Sequence, residues 1–201
     1  MKKRIMALAF ALILLVVTGC VSEDISEPLE VWEHFSAALK QTEQLAVYEI
    51  TENYTVDGKT TSTHIVLTND DMGRTVAYKS TDAGELWWFQ GLTYDGSGVE
   101  KIKYAQGIDT FLGISDHQQA WEYSSVRDAK MNKGIITFSV ESEDYESCNV
   151  SAKVGEKFIE QLTVEIVRHG EQTPEIIEYV YKDPGQKPDA TLPADMNDYH
   201  Y

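Results

Sequence analysis

The stretch Tyr48-Glu49-Ile50-Thr51-Glu52-Asn53-Tyr54-Thr55-Val56-Asp57-Gly58, followed by a second alternating run over residues 61–68, decides the fold class. Tyr48, Ile50, Tyr54 and Val56 fall on one side of a period-two pattern and Glu49, Thr51, Asn53 and Thr55 on the other, the alternation of a half-buried strand. Asp57-Gly58 readily takes the positive φ angles of a two-residue hairpin turn, so two long antiparallel strands are expected.

The pattern continues downstream. Strands are expected over residues 75–80, 86–90, 92–94 and 99–104, separated by the turn clusters Asn69-Asp70-Asp71, Asp82-Ala83-Gly84 and Asp95-Gly96-Ser97-Gly98. Residues 107–120 lose the alternation and read as a loop with a short helix. Alternation resumes over 123–130, turns at Asn132-Lys133-Gly134 and returns over 135–140, with two further strands at 161–168 and 175–182. Residues 141–158 fit no single pattern. Asp183-Pro184-Gly185-Gln186-Lys187-Pro188 opens an extended tail.

Upstream of the hairpin the period is helical. Ser26 is placed to cap, Pro28 sits in the first turn, and Leu29, Trp32, Phe35 and Leu39 recur on one face of a helix over 26–42. A stripe of this kind is what a helix uses to dock on a sheet. The fold class is therefore α+β: an N-terminal helix, then a long, strongly curved antiparallel sheet, a half-barrel packed over helices.

The first residues carry a different message. Lys2, Lys3 and Arg4 precede an unbroken apolar run over 5–17, and Thr18-Gly19-Cys20 follows, the layout of an export signal. A run this short makes a helix of about 20 Å, against the roughly 30 Å needed to cross the hydrocarbon core. Val17-Thr18-Gly19-Cys20 resembles the bacterial lipobox, which implies cleavage before Cys20 and lipid on that cysteine; an ordinary secretory signal is the alternative. On the lipobox reading, residues 1–19 are the signal, 20–27 a lipidated tether, 28–182 a single domain and 183–201 the tail. The protein would then sit on the extracytoplasmic face of the cell membrane, with the membrane as partner through the lipid on Cys20.

The only other cysteine is Cys148, which lipidation of Cys20 leaves unpaired, so no disulfide is expected. Alone in Ser147-Cys148-Asn149-Val150, it reads as a small buried apolar group. The formal charge is −16, and losing residues 1–19 would deepen it by the three cations they hold. Such a surface repels nucleic-acid phosphates, so nucleic acid is excluded as a partner.

No motif supports catalysis. His34, His64, His117, His169 and His200 lack the spacing of a metal site, and neither a nucleophile elbow nor a phosphate-cradling loop is present. Asp95-Gly96-Ser97-Gly98 is a hairpin loop, since no helix follows it. The expectation is a non-enzymatic protein with no cofactor and no metal. What does stand out is Leu86-Trp87-Trp88-Phe89, followed by Tyr94, Ile102 and Tyr104. Trp87, Trp88, Phe89, Tyr94, Ile102 and Tyr104 are candidate walls of an apolar ligand cavity, with a filled core as the alternative.

The opening helix, the aromatic hairpins over 86–104 and the closing strand Ile176-Ile177-Glu178-Tyr179-Val180-Tyr181 before a proline-containing tail together resemble the LolA-like, lipoprotein-carrier superfamily. That resemblance implies an eleven-strand half-barrel folded over helices, with an apolar cavity for a lipid or other apolar small molecule. A tethered binding protein fits an anchored chain better than a shuttle. The other reading is a cell-surface interaction or sensory module with a solid core, offering its acidic surface to an envelope protein partner.

Overall fold

The computed structural model describes residues 27–98, 100–112 and 121–201. The signal at 1–19, Cys20 and the tether as far as Ser26, together with Val99 and residues 113–120 including His117, lie outside the described residues. Helix α1 spans Pro28–Glu43, and a short helix α2 spans Ile108–Leu112. The strands are β1 Tyr48–Val56, β2 Lys59–Asn69, β3 Thr75–Thr81, β4 Gly84–Phe89, β5 Leu92–Asp95, β6 Ile102–Ala105, β7 Val126–Asn132, β8 Ile135–Val140, β9 Tyr145–Val154, β10 Ile159–Arg168 and β11 Glu175–Lys182. Among the described residues no helix is long and apolar enough to cross a membrane.

All eleven strands join one antiparallel sheet in the order β6-β5-β4-β3-β2-β1-β11-β10-β9-β8-β7. Eleven is the number the superfamily resemblance implies. The sheet is not closed: its edges, β6 and β7, are consecutive in sequence and are linked by the segment that holds α2. Asp57 (φ 51°) and Gly58 (φ 72°) both take the left-handed region, giving the expected hairpin, and Gln90-Gly91 and Lys133-Gly134 repeat the device. Residues 141–158, which fit no pattern, hold the whole of β9. Two expected strands move: β6 starts at Ile102, and a 3₁₀ turn over Tyr123–Ser125 precedes β7.

One sheet face, here the helix face, carries Ile50, Ile65, Ile136, Phe138, Val150, Leu162, Val164, Ile177 and Tyr179, all buried. Helix α1 packs against β7 and touches β9 and β10, so it covers only that half of the face. The side it buries is Val31, Phe35, Ala38 and Thr42; of the expected stripe, Phe35 is at its centre, Trp32 and Leu39 pack partly buried at its margin, and Leu29 is exposed. Phe35 meets Phe138 edge-on at 5.0 Å between ring centres, and Trp32 and Trp121 flank the pair. Burying one such ring stabilises by about 1.5–3 kcal/mol. Thr42 closes the contact, since its hydroxyl donates to Ala38 O (2.8 Å) and accepts from the Ile159 amide (2.9 Å).

The opposite face is polar along β7–β10, as alternation requires, but it is not polar everywhere. Successive residues of a strand point to opposite faces, yet Ile65 and Val66, Val76 and Ala77, and Thr93 and Tyr94 are buried as adjacent pairs. Strands β2, β3 and β5 are therefore covered on both sides. The second cover is the C-terminal segment, expected from sequence as an extended tail. Thr68 Oγ1 donates to Pro188 O (2.8 Å), Tyr199 is 3 % exposed, and His200 exchanges backbone hydrogen bonds with Lys101 and Lys103 beside the free edge of β6. Lys101 is ion-paired with Asp195 on the same segment. The face beneath it is here called the tail face.

Candidate functional site

The register decides where the six candidate wall residues go. Ala77 pairs with Trp88, Trp88 with Thr93 and Thr93 with Tyr104, while Asp95 pairs with Ile102, so Trp88, Tyr104 and Ile102 share the helix face. Tyr78 pairs with Trp87 and Trp87 with Tyr94, so Trp87, Tyr94 and, two residues on, Phe89 share the tail face. The six are therefore not one wall. The physical reason is strand geometry: side chains at consecutive positions stand on opposite faces, and Trp87-Trp88 cannot line one cavity.

On the helix face, Trp88 Nε1–H donates to Gln106 O (2.7 Å) and Thr93 Oγ1 donates to the Gln106 side-chain oxygen (2.6 Å), which fixes the chain leaving β6 over this region. Helix α2 contacts β3 beside them, and Lys79 Nζ reaches Leu112 O at 3.2 Å. Beyond this cover, Ile102 is 41 % and Tyr104 39 % exposed, on the same face as half-buried Leu86 and Trp88, with Asp95 and Thr93 of β5 between them. Partial burial, then the neighbouring Asp95 carboxylate, raises the Tyr104 phenol above its ordinary pKa, so it stays a neutral donor.

On the tail face, a row of directly paired residues crosses seven strands: Lys182, Glu49, Val66, Tyr78, Trp87, Tyr94 and Lys103. Its outer part is a filled core. Tyr94 meets Tyr199 edge-on at 5.5 Å, and a Cβ on Gly96 would lie 3.2 Å from both the Trp87 ring and Tyr199 Oη, close enough to press on both. Phe89 lies under the Arg74 guanidinium at 4.7 Å.

The inner part opens into a cleft of about 380 Å³ between the sheet and residues 189–191. Glu49 lies there within 3.1 Å of His64 Nε2 and 3.0 Å of Lys182 Nζ. Burial pushes its carboxyl up, but the hydrogen bonds from Lys182 and His64 outweigh that and hold it below the usual carboxylate range. Tyr78 Oη donates to Glu85 Oε1 at 2.6 Å, and burial followed by this bond raises the phenol. The Tyr78 and Trp87 rings lie 5.6 Å apart, tilted by 51°.

The sequence pattern sets His64 aside with the other histidines as lacking metal-site spacing, and it does not single out Glu49, Tyr78, Glu85 or Lys182. A signal for the first two existed: a two-residue turn at Asp57-Gly58 puts Glu49 opposite Val66 and next to His64 on one face. Lys182 and residues 189–191 arrive from more than a hundred residues away, and no local pattern announces them. Among the described residues, no group of three His, Cys, Asp or Glu side chains is arranged to hold a metal ion.

Fold and surfaces together define an open eleven-stranded antiparallel sheet with few helices, bearing an apolar patch on one face and an aromatic, charged cleft on the other. No protein-family model matches the sequence, and no curated protein matches it. Among solved structures, one titled "Crystal structure of MucB" is similar at 10 % identity with a TM-score of 0.47, over 83 % of this chain and 64 % of that one. The chain thus spans less than two thirds of that structure's length.

Proposed function

We propose that this chain is an extracytoplasmic lipoprotein, anchored to the membrane through lipid on Cys20, which binds a lipid or other apolar ligand on the helix face of β4–β6 and acts by binding, without catalysis. One observation carries the ligand reading: Ile102 and Tyr104 remain at the surface, across β5 from Leu86 and Trp88, on the face whose other half is filled by α1. Adjacent exposed apolar side chains of this size favour a partner that removes them from water, at about 25 cal/mol per Å². We read the sheet as a LolA-like half-barrel. Eleven strands spaced about 4.8 Å apart would be about 48 Å wide if flat, and twisted sheets of that size curl. The anchor rests on Lys2-Lys3-Arg4, the apolar run and Val17-Thr18-Gly19-Cys20.

Titration of the purified full chain with the fluorescent fatty acid cis-parinaric acid tests the ligand reading. Saturable enhancement near one equivalent is expected, and a linear, non-saturating response overturns it. Growth on a labelled fatty acid tests the anchor: wild type should carry label and Cys20→Ala should not. The second reading, an interaction module with a solid core, is favoured by the packed Tyr94–Tyr199 half of the tail face. It predicts one stoichiometric envelope partner, retained by Trp88→Ala.

A further inference from the structure

The tail-face cleft lies on the other side of the sheet from the patch assigned to an apolar ligand, and its chemistry is different. Its carboxylates differ in what offsets them, and His64, edge-on to Tyr78 at 5.9 Å, lies between the two groups. At the β1–β11 end, Glu49 is compensated by Lys182 and His64. At the β3–β4 end, Glu85 accepts from the Tyr78 hydroxyl, and Asp189 faces the same cleft from the tail segment. Among the described residues neither Glu85 nor Asp189, both exposed at the cleft, has a cationic partner within ion-pair distance. Two uncompensated carboxylates therefore border the tilted pair of Tyr78 and Trp87 rings.

We propose that this end of the cleft binds an organic ammonium group, one that carries methyl or methylene substituents. The negative face of an aromatic ring attracts a cation within about 6 Å of its centre, most strongly for Trp and strongly for Tyr, and nearby carboxylates add to the attraction. Hard divalent ions take six or more oxygen ligands. Here two carboxylates stand beside two rings, and a substituted ammonium uses both, its charge facing Glu85 and Asp189 and its carbon shell against Tyr78 and Trp87. The space is sufficient, since about 380 Å³ falls in the range of small-molecule sites. The net charge of −16 further concentrates cations at the surface. The tail segment makes the site what it is: Asp189 comes from it, and its anchor at Thr68–Pro188 holds it in place.

The test is calorimetric titration of the full chain, in a maltoside detergent, with choline chloride against sodium chloride at equal ionic strength. Saturable heat with choline alone is expected, weakened about tenfold or more by Glu85→Gln and by Trp87→Leu. Glu85→Gln keeps an acceptor for Tyr78, and its thermal melt should match wild type. Equal heats for the two salts, wild-type affinity in both variants, or saturable binding of N-acetylglucosamine in place of choline overturns the proposal. Dihexanoyl phosphatidylcholine and phosphatidylglycerol, below their micellar concentrations, identify the source. Tighter binding of the first than of choline, with none of the second, places the ammonium on a lipid headgroup; equal affinity for choline and phosphatidylcholine places it on a soluble solute. Because Trp88→Ala removes only the helix-face patch, failure here and failure of the apolar-ligand reading are separately visible.

Discussion

Trp87 and Trp88 are covalent neighbours that serve opposite sides of the sheet: the Trp87 ring packs 5.6 Å from Tyr78 under the C-terminal segment, and Trp88 donates its indole N–H to Gln106 O at 2.7 Å beside exposed Tyr104. Single substitutions at the two positions should therefore separate two properties. Trp88→Ala is expected to weaken a fatty-acyl probe by about tenfold or more, since a large aromatic contact is lost, while Trp87→Leu leaves that affinity within about twofold. Parinaric acid titrations of both variants check this, and equal losses would count against two distinct surfaces.

The tail segment is part of the folded unit. Tyr199 is 3 % exposed and stacks edge-on against Tyr94, so Tyr199→Ala should cost about 3 kcal/mol, the usual cost of emptying a buried aromatic site. Urea unfolding should show an earlier midpoint with an unchanged slope. A midpoint equal to wild type would mean that the segment does not hold this position in solution.

Thr42 ties the end of α1 to the start of β10 through two buried hydrogen bonds. Thr42→Val keeps the shape and orphans the Ile159 amide, at a cost of about 1–3 kcal/mol. Thr42→Ser keeps the oxygen and should recover more than half of that loss in the same denaturation series.

Glu49 gives stability a pH dependence with a definite sign. Lys182 and His64 hold its folded-state pKa below the unfolded value, so its contribution is present above about pH 4.3 and is lost as pH falls through the folded value. Lys182 is largely exposed, and solvent screening limits the effect to about 0.5–1 kcal/mol. Glu49→Gln should cost that amount at pH 7 and flatten the acid limb of a stability–pH curve. An acid limb as steep as wild type would assign it to other carboxylates.

Cys148 is 2 % exposed, and burial pushes its thiol pKa up to about 11. It should be inert to a thiol reagent at pH 8 in the native protein and react once in urea. If Cys20 carries lipid, the native count is zero and the unfolded count one. A rapidly reacting native thiol would therefore point to an unmodified Cys20, or to a Cys148 less buried than described.

Much of the architecture was legible because its signals are local. Alternation from Tyr48 to Val56 and the Asp57-Gly58 turn fix a hairpin without reference to the rest of the chain, and the same applies to the later strands at 161–168 and 175–182. Strand β9 was not legible. Its Ser147-Cys148-Asn149-Val150-Ser151-Ala152 does alternate polar with small apolar residues, and Cys148, Val150 and Ala152 are the buried positions, but the acidic, turn-rich residues 141–146 before it mask where the period begins. The α1 stripe was legible at Phe35, Trp32 and Leu39 but not at its buried centre line, where the smaller Val31 and Ala38 face the sheet while larger Leu29 does not.

By itself, the sequence determined the class, one helix before a long antiparallel meander, because period and turn chemistry act over a few residues. The sequence pattern puts Trp87 and Trp88 on one cavity wall, and the register of β4 with β3 and β5 separates them onto opposite faces. Only the tertiary structure decided which face each would meet. The partners come from distant segments, Gln106 beyond β6 for Trp88 and the segment ending at Tyr199 for the Trp87 side, and that placement follows from sheet order and burial of the whole chain. The Glu49–His64–Lys182 cluster has the same origin, because β11 reaches β1 only when the two halves of the sheet join.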